Sequence, residues 1–286
     1  MSESKMVEIG WDGACLEERK KLWSMRLDED DRRRLAADYR NRQPQHAKRV
    51  RTRLSSFIHD SDRAVGLAHI ANLVDTTAPE AEITQSLLFV LEAIGRVVPQ
   101  NGQGDRIQVL RDRDGDGATE LGFHCDTCDL LVLLCLQPAV LGGGFTRLAC
   151  AQRVQDILEQ ERPDAVAALR RNWTFDRTGR AGPQVIVSPI LFTQADGTVG
   201  CYYQTRTVRA SAQEGGRPLT EEQLSALSVL DEVLTRSDVG FNLLLAAGDL
   251  LIIRNSRVLH GRSSYTDQPG PKSRRMLRIW MSTEDR

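Results

Sequence analysis

From residue 130 to residue 136 the chain reads Leu-Leu-Val-Leu-Leu-Cys-Leu, an apolar run without a polar break. Bounded by Asp129 and by Gln137-Pro138, it fits a strand buried on both faces. Residues 106–111 alternate as a strand, and residues 64–74 form an apolar, strand-like segment that ends in a loop. Residues 184–193 and 199–207 read as a hairpin around Ala195-Asp196-Gly197. Residues 241–246 and 249–254 are expected to pair around Ala247-Gly248, and a last strand covers residues 273–280.

Helical spacing is clearest in Ile83, Leu87, Leu88, Val90, Leu91 and Ile94, behind Pro79 and with Thr77 near the cap. Residues 152–158 and 164–171 form short helices split by Pro163, and Thr220-Glu221-Glu222-Gln223 is a capping box opening a helix to about Arg236. Asp28-Glu29-Asp30-Asp31 places acid in the first turn of another helix. Many short strands under a few covering helices point to a mainly β fold with flanking helices: a double-stranded β-helix, the jelly-roll, cupin-like barrel. The expected organisation is an N-terminal helical arm over residues 1–62, packed by Trp11 and Trp23 onto a barrel domain over residues 63–286.

Composition removes some classes of function. The 286 residues carry a formal charge of −1, which argues against an electrostatic nucleic-acid or membrane partner. The basic residues at 32–34 and 48–53 read as a solvated helix face. No apolar stretch approaches the ~20 residues of a membrane span, and the first residues lack a secretory apolar core. The 6 cysteines are scattered, as in a reduced, cytoplasmic chain. Asp112-Arg113-Asp114-Gly115-Asp116-Gly117 copies the start of a calcium loop, but Phe123 stands where a bidentate glutamate is needed.

The candidate chemistry lies in Phe123-His124-Cys125-Asp126 and in Val258-Leu259-His260-Gly261. Residues two apart on a strand leave the same face, so His124 and Asp126 can grip one ion, and His260 would complete a 2-His-1-carboxylate set. Such a set leaves adjacent positions open and suits Fe(II). By itself such a pair is more often a core histidine beside a turn aspartate. Cys125-Asp126-Thr127-Cys128 lacks the second half of a zinc site and the helix of a redox motif, so its cysteines read as packing residues.

Arg274, Arg275 and Arg278 follow in the last strand, each a flat two-donor fork for a carboxylate. With Leu121-Gly122-Phe123-His124-Cys125-Asp126-Thr127, Gly143-Gly144-Phe145-Thr146, Leu259-His260-Gly261-Arg262 and Leu277-Arg278-Ile279-Trp280 in this order, the chain over about 105–282 resembles the taurine dioxygenase / TfdA-like iron(II)- and 2-oxoglutarate-dependent dioxygenases. The resemblance implies the same barrel, Fe(II), 2-oxoglutarate and O2, and hydroxylation of an unactivated C–H bond with release of succinate. It implies His124, Asp126 and His260 as metal ligands. Arg278 and Thr146 would hold the far carboxylate of 2-oxoglutarate, with Arg274 a turn earlier facing cosubstrate or substrate. A desaturase or cyclase on the same site, or a binding module without turnover, are the alternatives. For the substrate, a small molecule, the candidates are Glu120, Arg206, Gln108 and Asn72, with charges of both signs that suit an amino acid or related zwitterion.

Overall fold

The computed structural model describes residues 10–41, 44–111, 118–178, 181–214, 218–267, 270 and 273–283. The acidic turn 112–117 therefore lies outside the described residues. The chain begins with α1 (Gly13–Glu18), β1 (Ser24–Arg26), α2 (Glu29–Asn41), α3 (Pro44–Val65), β2 (Leu67–Ala71) and α4 (Glu80–Leu91). It continues with β3 (Arg96–Val98), β4 (Ile107–Arg111), β5 (Leu121–His124), β6 (Leu130–Gln137) and β7 (Thr146–Cys150). After α5 (Ala151–Glu161) and α6 (Pro163–Leu169) come β8 (Asn172–Asp176), β9 (Val185–Pro189), β10 (Leu191–Thr193) and β11 (Val199–Cys201). Helices α7 (Thr205–Glu214) and α8 (Glu221–Thr235) precede β12 (Gly240–Leu243), β13 (Leu250–Arg254), β14 (Val258–Arg262) and β15 (Arg275–Ser282).

Two sheets face each other. The larger runs β1-β2-β13-β6-β15-β3, with β4 also on β15, and the smaller runs β12-β7-β14-β5. This is the jelly-roll expected from the sequence. Strand period assigns each residue to a layer. In β6, Leu131, Leu133 and Cys135 enter the core between the sheets, joined by Leu251 and Ile253 of β13 and Met276 and Trp280 of β15. The alternate residues Leu130, Val132, Leu134 and Leu136 meet α2, α3 and α4 on the outer face. The apolar run is thus a central strand covered on both sides. On the smaller sheet, Leu148, Cys150 and Val258 point inward, whereas Phe123, Ala149 and Leu259 meet α5, α6 and α8.

The capping box opening α8 has both arms, Gln223 N–H donating to Thr220 Oγ1 at 3.2 Å and Thr220 N–H to Gln223 Oε1 at 3.0 Å. Two expected hairpins are redrawn. Residues 185–189 pair with β8, so that only β10 and β11 form the hairpin, and residues from Thr205 onward are helix α7. The stretch Thr205–Glu214 is rich in residues that tolerate helix and anchors itself inward through Val208. Residues 241–246 and 249–254 do not pair, because β12 joins β7 while β13 joins β2 and β6. The turn between them changes sheets. The Asp249 carboxylate accepts the N–H groups of Asn72 and Ala246, each at 3.0 Å, and Gly248 (φ +87°) lies so close to Val74 that a Cβ would sit 2.5 Å from its carbonyl oxygen. Among the described residues, no helix is long and apolar enough to cross a membrane.

The layer assignment has a direct test. Leu251→Ala, at a fully buried inter-sheet position, is expected to lower unfolding stability by about 2–5 kcal/mol. Leu244→Ala, at a position 51% exposed, should stay within about 0.5 kcal/mol of the parent. Urea midpoints at constant m-value measure both.

Candidate functional site

His260 in β14 lies directly across from His124 in β5, and on its other side β14 pairs with β7, setting Arg262 opposite Thr146. His260 and Arg262 share the inward parity of Val258, and Thr146 shares that of Leu148 and Cys150. Asp126 follows β5 and is fixed through its backbone. Its N–H donates to Asn255 Oδ1 at 2.8 Å, and the Asn255 amide donates back to the carbonyls of Asp126 and Cys128. Cys125 turns to the outer layer, in contact with Cys201, as the strand parity expected.

Potential ligand atoms of His124, Asp126 and His260 all lie within 4.8 Å of one another. The imidazole rings are 4.3 Å apart between centroids, and His260 Nε2 is 3.9 Å from Asp126 Oδ2. His124 Nδ1 lies 3.0 Å from the Gly122 carbonyl, which favours the proton on Nδ1 and leaves Nε2 as the ligand atom. Burial, and then the neighbouring His124, push the pKa of His260 down to about 3, so its ring is neutral. Asp126 is 3% exposed, and burial works against its charge. Arg278, the two histidines and the Trp280 indole together outweigh burial and hold its pKa below the usual carboxylate value. Trp280 Nε1 donates to Asp126 Oδ2 at 2.9 Å and Arg278 approaches the same oxygen at 3.3 Å. An unprotonated His260 and the free Nε2 of His124 beside an ionised carboxylate form the donor set that a divalent transition metal takes. The residues fit iron.

A cavity of about 570 Å³ opens over these groups. Arg278 is held on three sides: Nε donates to Gln100 Oε1 at 2.9 Å, one terminal nitrogen faces Asp126, and the other donates to Gln108. Arg274 is buried, with its guanidinium 5.3 Å from the centre of the Tyr265 ring. Its Nε is so near the glycine turn that a Cβ on Gly144 (φ +72°) would lie 3.2 Å away. Burial, and then the charge of Arg262, lower its pKa. Among the described residues, no carboxylate forms an ion pair with it.

The fold thus brings His124, His260, Thr146, Arg274, Arg278 and Gln108 to one cavity, with Asp126 buried against His260 and Arg278. Three expected substrate residues lie elsewhere. Glu120 is exposed and paired with Arg147, which covers the outer face of Phe123. The cause is a register shift that sets Leu121 opposite Arg262, although His124 is opposite His260. The irregularity turns Leu121 to the cavity and Glu120 outward. Arg206 is exposed in the first turn of α7, not on a hairpin. Asn72 (φ +61°) accepts from Arg32 at 2.7 Å and donates to the Leu27 carbonyl, holding the N-terminal helices to the turn before β13. Tyr203 bonds Asp231 in the outer layer, and His69 is held by Ser24 and Asp249.

Gln100, Asn255, Trp280, Tyr265, Arg262 and Glu80 went unassigned in the sequence. Trp280 and Arg262 carried a signal, being two residues beyond Arg278 and His260 on the same strand faces. Gln100 and Glu80 carried none, since only the tertiary structure brings Gln100 to Arg278 and Glu80 to the cavity wall.

The profile of the family described as taurine catabolism dioxygenase TauD, TfdA family, matches residues 31–280. FR-33289 synthase of Streptomyces rubellomurinus is 26% identical over 249 residues, covering 81% of this chain and 73% of that one. L-asparagine oxygenase of Streptomyces coelicolor is 28% identical over 176 residues, covering 59% and 49%. A crystal structure of asparagine oxygenase with Fe(II), 2S,3S-3-hydroxyasparagine and succinate superposes with a TM-score of 0.70 at 20% identity, over 91% of this chain and 94% of that one.

The neutral state of His260 predicts an acid-dependent stability in the metal-free protein. Its folded pKa, about 3, is below the unfolded value near 6.5, so the unfolded chain binds the extra proton as the pH falls through that interval. Stability should drop by on the order of 1 kcal/mol per pH unit from this group as the pH falls between roughly 6 and 3.5. Urea unfolding of His260→Gln should lack that component of the slope.

Proposed function

Because this chain belongs to the TauD/TfdA family and is an Fe(II)- and 2-oxoglutarate-dependent dioxygenase, we propose that His124, Asp126 and His260 hold its iron and that Arg274 and Thr146 receive the far carboxylate of 2-oxoglutarate. The observation that carries the reading is the meeting of three ligand side chains with a buried guanidinium that has no acid partner among the described residues. A buried charge of that kind is costly until a ligand neutralises it. Arg278, the first choice from the sequence, already faces Asp126, which leaves it a smaller share in the cosubstrate carboxylate and a larger one in keeping the metal ligand ionised.

When bound, iron with 2-oxoglutarate and O2 supplies the oxidant for an unactivated C–H bond, and 2-oxoglutarate leaves as succinate and CO2. The chain's own part is positioning. Asn255 pins the backbone of Asp126, Trp280 and Arg278 orient its carboxylate, and Leu131, Leu133 and Met276 line the wall that excludes water. The substrate we assign is a small amino acid or related zwitterion, hydroxylated on an aliphatic carbon; the relatives named for asparagine support that class. Glu80 takes the role first given to Glu120. It lines the cavity in an ion pair 3.6 Å from Arg275, a pair that a zwitterion would exchange for contacts to its own ammonium and carboxylate. The 6 free cysteines suit a reducing, cytoplasmic setting.

Anaerobic titration with Fe(II) and then 2-oxoglutarate should produce a visible charge-transfer band, and admitting O2 with substrate should release succinate. His124→Ala, Asp126→Ala and His260→Ala are each expected to lose both at preserved secondary structure. Arg274→Gln should raise the 2-oxoglutarate requirement about ten- to a hundred-fold, the worth of a charge-assisted pair. If Arg278→Gln alone does so, the anchor is Arg278.

Substrate class is checked by a succinate-release screen over free amino acids. Glu80→Gln should raise the KM for the coupled amino acid at an unchanged 2-oxoglutarate KM. Turnover with neutral compounds only would overturn the assignment.

A further inference from the structure

Arg262 has no role in the reading above, yet its surroundings are unusual for a surface arginine. It ends β14 on the inward face, directly across from Thr146, and it lines the cavity. One terminal nitrogen donates to the Thr119 carbonyl, but its Nε is buried without a hydrogen-bond partner. Its guanidinium lies 4.8 Å from the centre of the Tyr265 ring, and that of Arg274 lies 5.3 Å from the same centre. Two cations therefore share one aromatic ring, and the charge of Arg262 counts against that of Arg274. Among the described residues, neither forms an ion pair, whereas Arg275 and Arg278 have Glu80 and Asp126.

Like charges brought together at a buried site raise each other's cost, and a ring face offsets only part of it. The arrangement gains most from an anion that reaches both forks. Its scaffold is also built for close approach. Tyr265 bridges to Gly143, and a Cβ on Gly143 would fall 2.2 Å from the Ser264 carbonyl oxygen, so only glycine lets the turn lie against this segment. The Thr146 hydroxyl stands in the same row as Arg262.

We infer that Arg262 is a second guanidinium of the pocket for the far carboxylate of 2-oxoglutarate, and that with Arg274 beside the same Tyr265 ring it sets the preference for a 2-oxo diacid over a 2-oxo monoacid. The inference rests on the proposed cosubstrate site at Arg274 and Thr146. It adds a residue to that site which acts on the end of the cosubstrate remote from the metal.

The test is direct binding, measured by calorimetry on anaerobic Fe(II)-loaded protein, of 2-oxoglutarate and of 2-oxovalerate, which keeps the carbon chain and lacks the far carboxylate. Arg262→Gln should weaken 2-oxoglutarate about ten-fold and leave 2-oxovalerate unchanged, so that discrimination narrows by the same factor. Arg262→Lys, which keeps the charge and loses the fork, should recover part of it. An unchanged 2-oxoglutarate affinity, or equal weakening of both ligands, overturns the inference, the second result marking a merely structural role. Arg274→Gln separates the two levels. If it weakens 2-oxoglutarate while Arg262→Gln does not, the cosubstrate site stands and the role of Arg262 falls; if neither variant weakens it, both fall. Should Arg262→Gln fail to fold, Arg262→Lys decides: a several-fold loss for 2-oxoglutarate alone supports the role, and no loss rejects it.

Discussion

Asp126 is sealed between two sheets and yet ionised, and the cavity is arranged around keeping it so. Burial alone would return its proton. The Arg278 guanidinium, the Trp280 indole and the two histidines outweigh that tendency, and all of them but His124 come from a distant part of the chain. Arg278 can do this because Gln100 and Gln108 hold its remaining donors, so its charge has a fixed direction. Asn255 does the same for the backbone of Asp126, pairing with both its N–H and its carbonyl. A carboxylate held in this manner is already oriented before any ion arrives, which lowers the reorganisation that binding requires.

The cavity separates two electrostatic problems. Near the three candidate ligands, cation and anion balance: Arg278 stands against Asp126, and His260 is neutral. At the Tyr265 end the balance is absent, with Arg262 and Arg274 on one ring and, among the described residues, no carboxylate in an ion pair with either guanidinium. A dianion with one end at the metal and the other at these arginines complements both. Glycine makes the second end possible, because the turn at Gly143 and Gly144, both at positive φ, passes where any side chain would strike Tyr265 or Arg274.

Much of the layer structure was legible from parity. The apolar run from Leu130 announced a strand covered on both faces, and the i, i+2 spacing of His124 and Asp126 announced a shared face. Parity failed where the ladder is irregular. Glu120 is four residues before His124 and would share its face in a regular strand, but the register shift opposite Arg262 turns it to Arg147. Pairing by proximity failed as well, since residues 241–246 and 249–254 are neighbours in sequence and belong to opposite sheets, a change of direction made by Asp249 and Gly248.

The sequence by itself determined the strands that carry His124 and His260, from local periodicity, while the resemblance of its motifs implied the barrel and the candidate ligand set that the fold brings together. Only the tertiary structure decided which arginine is already paired and which is left as a buried charge, and that Glu80, not Glu120, lines the cavity. Gln100 likewise reaches Arg278 only in the fold. The physical reason is that the electrostatic state of a side chain depends on what lies within a few ångströms of it, and in this barrel those neighbours come from strands far apart along the chain.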